Sequence, residues 1–270
     1  MRWEKEHQEE MRASNEFVRI FASVPDPIVA VAGKACSLEA RIAWVLLGTA
    51  ISQELPLILV SKVLEELFLD FPHERLWTFP LPEESKIAAA VRRGKGSYDW
   101  ELEEQVPGIF WSVGNFVRKR SPLAGWFSST SYKGICRDLG EIFFMGKGAY
   151  RPKAILAISR LAEPLPRGLN VIHNEKNPPI PFAFGIRKWM GFIGPGKELR
   201  FSEMDEKKKR YLGETLCRTL CKEDPLIASH AFQFFLEKGE SSYICSEHTE
   251  NCLRCPLALF CTKSKGDGCV

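Results

Sequence analysis

The sequence contains no apolar run of the about 20 residues that a membrane-spanning helix requires; its longer apolar stretches carry helical periodicity instead. That argues against a membrane protein. There is no internal repeat and no low-complexity tract, which sets aside solenoids and biased arrays. An excess of one charge is also lacking. The formal net charge is +3 over 270 residues, so composition does not announce a nucleic-acid protein and any basic footprint must be local. The first residues lack the basic-then-apolar pattern of a secretory signal, so a reducing, cytosolic setting is expected. Hydrophobic residues make up 45% and charged residues 26%, an ordinary globular mixture that can fill one large domain or two modest lobes.

Helical spacing dominates the remainder. Phe17, Ile20 and Phe21 predict an amphipathic helix over 1–24, ended by Pro25 and Pro27. Ser37 opens a second helix whose Ile42–Ala50 run is apolar nearly all round, which predicts a central position. More helices are expected over about 57–69, 83–93, 110–120, 132–144, 184–191, 204–222 and 225–237, and one with Pro152 at its first position. Pro72, Pro80 and Pro82, and later Pro164, Pro166, Pro178, Pro179 and Pro181, mark loops. The expected fold class is all-α.

Cysteine chemistry concentrates near the C-terminus. Cys245, Cys252, Cys255 and Cys261 fall within seventeen residues in the pattern C-x6-C-x2-C-x5-C. Thiolates are soft ligands that suit zinc or an iron–sulfur cluster. Structural zinc sites usually pair two short hooks, and here only Cys252 and Cys255 form one. Nor is this a ferredoxin run, despite Cys255-Pro256. Cys217 and Cys221, four apart on a helix, are two ligands only and are read as core.

The four-cysteine pattern resembles the [4Fe-4S] loop of endonuclease III and adenine glycosylase, in the helix–hairpin–helix DNA glycosylase superfamily. Gly148, Tyr150, Lys153, Ala154 and Ile158 look like the helix that precedes that family's hairpin, and Ser52-Gln53 looks like the turn whose glutamine fills the gap left by an extruded base. The resemblance implies a two-lobed all-α fold, with a helical barrel over 31–190 and a cluster domain from 1–30 plus 191–270. It implies a [4Fe-4S] cofactor on Cys245, Cys252, Cys255 and Cys261. The implied partner is double-stranded DNA, bound by a monomer that is cytoplasmic and nucleoid-associated, or nuclear in a eukaryote. Family members cut the base–sugar bond after flipping the nucleotide out.

Several positions depart from that family. Its hairpin directs backbone N–H groups at a phosphate. Chain order favours Leu165-Pro166-Arg167-Gly168 for this role, and pattern favours Val106-Pro107-Gly108-Ile109. Arg118, Lys119, Arg120, Arg167 and Gly168, with Gln53 as wedge, are the expected DNA contacts. Ala183 stands where the family's catalytic aspartate is expected, and no Asp lies between Asp138 and Asp205. Glu175 and Glu198 are the remaining nearby carboxylates considered, and Lys176 is a loop lysine. An alanine neither accepts a proton nor carries charge. The gap Ser246–Asn251 holds two glutamates and a histidine where the family carries basic residues. The resemblance therefore points to a DNA-binding cluster protein, either a divergent DNA N-glycosylase or one that has lost base excision. A redox carrier or a purely structural cluster protein is the alternative.

Overall fold

A computed structural model describes residues 7–52, 55–72, 82–147, 150–173, 178–182, 184–193, 203–234, 252 and 255–261, and it places helices but no strand among them. None of the described helices is long and apolar enough to cross a membrane. The chain divides into two compact units, Pro25–Pro179 and the discontinuous Met1–Val24 with Ile180–Val270.

In the continuous unit, a short helix absent from the sequence expectation follows Val24. After α1 (Gln8–Phe21) of the other unit comes α2 (Pro27–Ala32), started by Asp26, whose Oδ1 accepts from the N–H groups of Ile28 and Val29. Asp before Pro is a helix-start signal, so a break and a start coincide here. Ser37 caps α3 (Leu38–Ile51) through a hydrogen bond from the Ala40 N–H, 3.2 Å. From Ile42 to Ile51 every residue of α3 is buried, in keeping with its all-round apolar sequence. Close packing against it needs Gly48, where a Cβ would run into Ile28 of α2 and into Leu64 of α4 (Leu57–Asp70). Glu39 of α3 reaches across to accept from the N–H groups of Leu123 and Ala124, capping α7 (Leu123–Ser129).

Between these lie α5 (Glu84–Lys95), a single 3-10 turn (Glu103–Gln105) and α6 (Val106–Arg120). Helix α8 (Tyr132–Leu139) stops at Gly140, earlier than expected, and the chain then turns through Phe144 at φ +66°. Helix α9 (Pro152–Ala162) begins at Pro152 as its sequence predicts. Its Arg160 is buried. The guanidinium donates from Nε to Asp26 Oδ2 at 2.8 Å and from Nη1 to Thr49 Oγ1 at 3.1 Å, tying α9 to α2 and α3.

The discontinuous unit joins α1, α10 (Phe184–Phe192), α11 (Glu206–Leu220) and α12 (Pro225–Phe232). Its core is aromatic: Phe232 stacks on Phe17 and on Trp189 at 5.7 and 4.5 Å, and Phe21 stacks on Phe234 at 5.4 Å. Where the expected boundaries were 30/31 and 190/191, the contacts divide at 24/25 and 179/180. Helix α10 falls in this unit because Gly185 brings its backbone directly against the Phe232 carbonyl.

Candidate metal centre and basic surfaces

Of the four motif cysteines, Cys252, Cys255 and Cys261 are described, and Cys245 lies outside the described residues. The three sit on one tight turn. Cys255 donates its N–H to the Cys252 carbonyl at 3.1 Å, and Cys261 donates to the Leu257 carbonyl at 2.9 Å. Leu257 is fully buried and anchors the turn. Burial pushes the Cys255 thiol up to about 11, with Cys252 and Cys261 adding to the rise. Backbone N–H groups of Leu257 and Ala258 aimed at its sulfur act in the opposite direction. Cys252 and Cys261 lie close enough to oppose ionisation of the Cys255 thiol, and amides are directed at its sulfur, an arrangement in which a bound cation would favour the thiolate. Among the described residues, however, no three His, Cys, Asp or Glu side chains converge as ligands of a single ion would.

The expected DNA contacts are placed as follows. Gln53 lies outside the described residues, as do Glu175, Lys176, Ala183 and Glu198. Arg118, Lys119 and Arg120 end α6, where cations suit the helix C-terminus. Arg118 bonds Asn115 Oδ1 one turn back. Arg120 is largely buried: it forks onto Glu141, 2.6 and 3.2 Å, and its guanidinium lies 4.3 Å from the Phe116 ring centre. Arg120 thereby holds the Glu141 carboxyl below the usual carboxylate range. Lys119 is mostly exposed, with Nζ 3.4 Å from Glu141.

Arg167 pairs with the buried Glu163 at 2.7 Å. The turn holding it covers the C-terminal carbonyls of α9. Leu169 donates to Arg160 O at 2.8 Å, Asn170 to Glu163 O at 2.8 Å and Val171 to Leu161 O at 2.6 Å. Gly168 is required there, since a Cβ would strike the carbonyl oxygens of Arg160 and Glu163. The N–H groups of Arg167 and Gly168 both bond Pro164 O, at 3.1 and 3.0 Å. Val106–Ile109 is instead the first turn of α6, with Val106, Pro107 and Ile109 buried.

Lys153, in the segment that resembles the family helix, donates to the Ala50 carbonyl at 2.6 Å and so fixes α9 to the last turn of α3. His230 is buried with Nε2 2.8 Å from the Val24 carbonyl, a packed helical residue. One feature escaped the sequence: a cavity of about 460 Å³ on α6, bordered by Trp111, Asn115, Lys119, Glu141 and Phe143. Its signal was a Phe143-Phe144 pair just past a helix stop and a Trp on the polar side of α6.

These residues define an all-α protein with a thiol-rich turn late in the chain and arginines largely engaged in internal pairs. No protein-family model, curated protein or solved structure matches the chain.

Proposed function

We propose that this chain is a [4Fe-4S] protein of the helix–hairpin–helix DNA glycosylase kind, which binds duplex DNA and lacks base excision by the family's aspartate route. The observation that carries the reading is the gathering of Cys252, Cys255 and Cys261 on one turn, with two amides directed at the Cys255 sulfur. A four-iron cluster spreads its thiolates over separate irons, so it does not ask the sulfurs to meet at one point as a zinc ion does. Hydrogen bonds to the sulfurs also suit a cluster, since they help set its potential.

Anaerobic purification tests the cofactor. The expected result is brown protein with about four irons per chain, lost in Cys255→Ser together with stability of the C-terminal turn. Stoichiometric zinc without iron would refute the cluster. Loss of excision rests on Ala183. A single-turnover assay over damaged and mispaired duplexes should show no cleavage by the wild type. Robust excision would refute that half of the reading, whatever Glu175→Gln and Glu198→Gln do to it.

A second reading, in which the cluster only staples the fold, is favoured by specific contacts. Arg120 and Arg167 are spent on Glu141 and Glu163, and the 164–168 turn bonds its own carbonyl. Salt dependence separates the two. DNA binding predicts a slope of about −0.9 per phosphate neutralised, and the structural reading predicts no specific binding at physiological salt.

A further inference from the structure

We propose that the groove on α6 binds a nucleotide, its base on the Trp111 and Phe143 rings and its phosphate at Lys119. This names a ligand site that the cluster reading does not use, within the continuous unit alone.

Three observations lead to it. The first is the cavity, which at about 460 Å³ falls within the roughly 300–1,000 Å³ of small-ligand pockets. The second is the exposure of its aromatic walls: Phe143 is 57% exposed and Trp111 36%. The other described Phe, Tyr and Trp side chains of the unit are buried or half-buried, so two exposed rings on one cavity are a stacking platform of the kind single-stranded nucleic acid uses. The third is the backbone. Phe144 takes φ +66°, a left-handed conformation that is an outlier for a bulky residue, and Phe143 beside it is latched by an N–H···Oγ bond to Ser112 at 3.1 Å. Ser112 itself borders the cavity, as does Gly108, where an added Cβ would come 3.8 Å from the Phe143 ring. The loop is thus held in a costly shape that keeps Phe143 at the cavity.

Charge decides what the rings receive. Arg118, Lys119, Arg120 and Arg137 cluster here against two carboxylates, Asp138 and Glu141. The surplus is positive and favours a ligand with a phosphate over a neutral or acidic aromatic peptide. Arg120 and Glu141 are locked together, whereas Lys119 stands 68% exposed at the rim and can swing to a phosphate. Asn115 offers an amide to a base edge.

The inference extends the nucleic-acid reading, so its test keeps the two apart. Fluorescence anisotropy on the full chain uses labelled oligothymidylate and a labelled duplex, with thymidine monophosphate as competitor. Phe143→Ser and Lys119→Gln alter exposed side chains, and thermal melting checks that each variant folds as the wild type does. The expected result is oligothymidylate binding weakened roughly 5- to 150-fold by Phe143→Ser, with Phe143→Trp restoring it. Competition by the mononucleotide marks a free nucleotide as the source of the ligand; binding of the oligonucleotide alone marks a strand. Wild-type affinity in both variants, or no oligonucleotide binding at all, overturns the inference. Duplex binding insensitive to both variants would leave the reading above standing on its own.

Discussion

Arg160 and Asp26, 134 residues apart, form a fully buried ion pair, with the guanidinium Nε 2.8 Å from Oδ2 and side-chain exposures of 2% and 1%. The same carboxylate caps α2 through its other oxygen, and the same guanidinium reaches Thr49 of α3. One charge pair therefore sets the register of three helices.

Arg160→Met should cost about 3–5 kcal/mol, because it leaves the Asp26 carboxylate buried without its counter-charge. Urea denaturation of the variant measures this directly. A loss below about 1 kcal/mol would mean that the three helices hold their register by apolar packing alone.

Acid should remove a smaller contribution at Glu103. The Lys95 ammonium, hydrogen-bonded to its carboxylate, holds this group below the ordinary glutamate range, and Arg92 assists. A depressed carboxylate stabilises the fold above the unfolded-state pKa, about 4.3, and loses that contribution as pH falls through the lower folded value. Glu103→Gln should lower the melting temperature near neutrality, with the difference from the wild type shrinking as pH falls below the unfolded-state value and through the lower folded one. A constant offset across that range would contradict the linkage.

Thiol reactivity should follow burial. Cys36 is exposed, whereas Cys217 is sealed and burial raises its pKa far above the usual thiol range. Cys136 lies between them, raised by burial and opposed by Arg151. An aromatic disulfide reagent at about pH 8 should modify Cys36 first, Cys136 slowly and Cys217 only in denaturant. Peptide mapping after timed quenching gives the order. Early labelling of Cys217 would show that α11 opens in the native state.

Two glycines of α10 should respond in opposite directions. Gly185→Ala drives a methyl into the Phe232 carbonyl and should destabilise the discontinuous unit severely. A methyl at Gly191 meets nothing within 4 Å, so Gly191→Ala should be neutral or stabilise by up to about 1 kcal/mol through helix propensity. Melting curves of the two variants decide it.

Local chemistry made much of the fold legible. Ser37 as a cap, the all-round apolar α3 and Pro152 at a helix start each act within a few residues and read correctly. Asp26-Pro27 carried a start signal too, but a pair of prolines looked only like a stop. What stayed hidden depends on partners far along the chain. Nothing near Arg120 or Arg167 in sequence says that Glu141 and Glu163 will claim them, so basic residues that look available for phosphate turn out to be engaged. The cysteine pattern is local as well, and three of its members, Cys252, Cys255 and Cys261, fall on one short described stretch. The groove was not, since Trp111 and Phe143 come together only through the turn after α8.

The discontinuity of the smaller unit bears on how the protein is made. Helix α1 packs its Phe17 and Phe21 on Phe232 and Phe234, residues that leave the ribosome more than 200 positions later. At about 5–20 residues per second, roughly ten to forty seconds separate the two ends of that contact. During this interval the whole of Pro25–Pro179 has emerged and can close on itself, while the apolar face of α1 waits for its partners. The first described helix thus completes its packing long after it is made, and until then its apolar face is where a nascent chain of this protein needs shelter from aggregation.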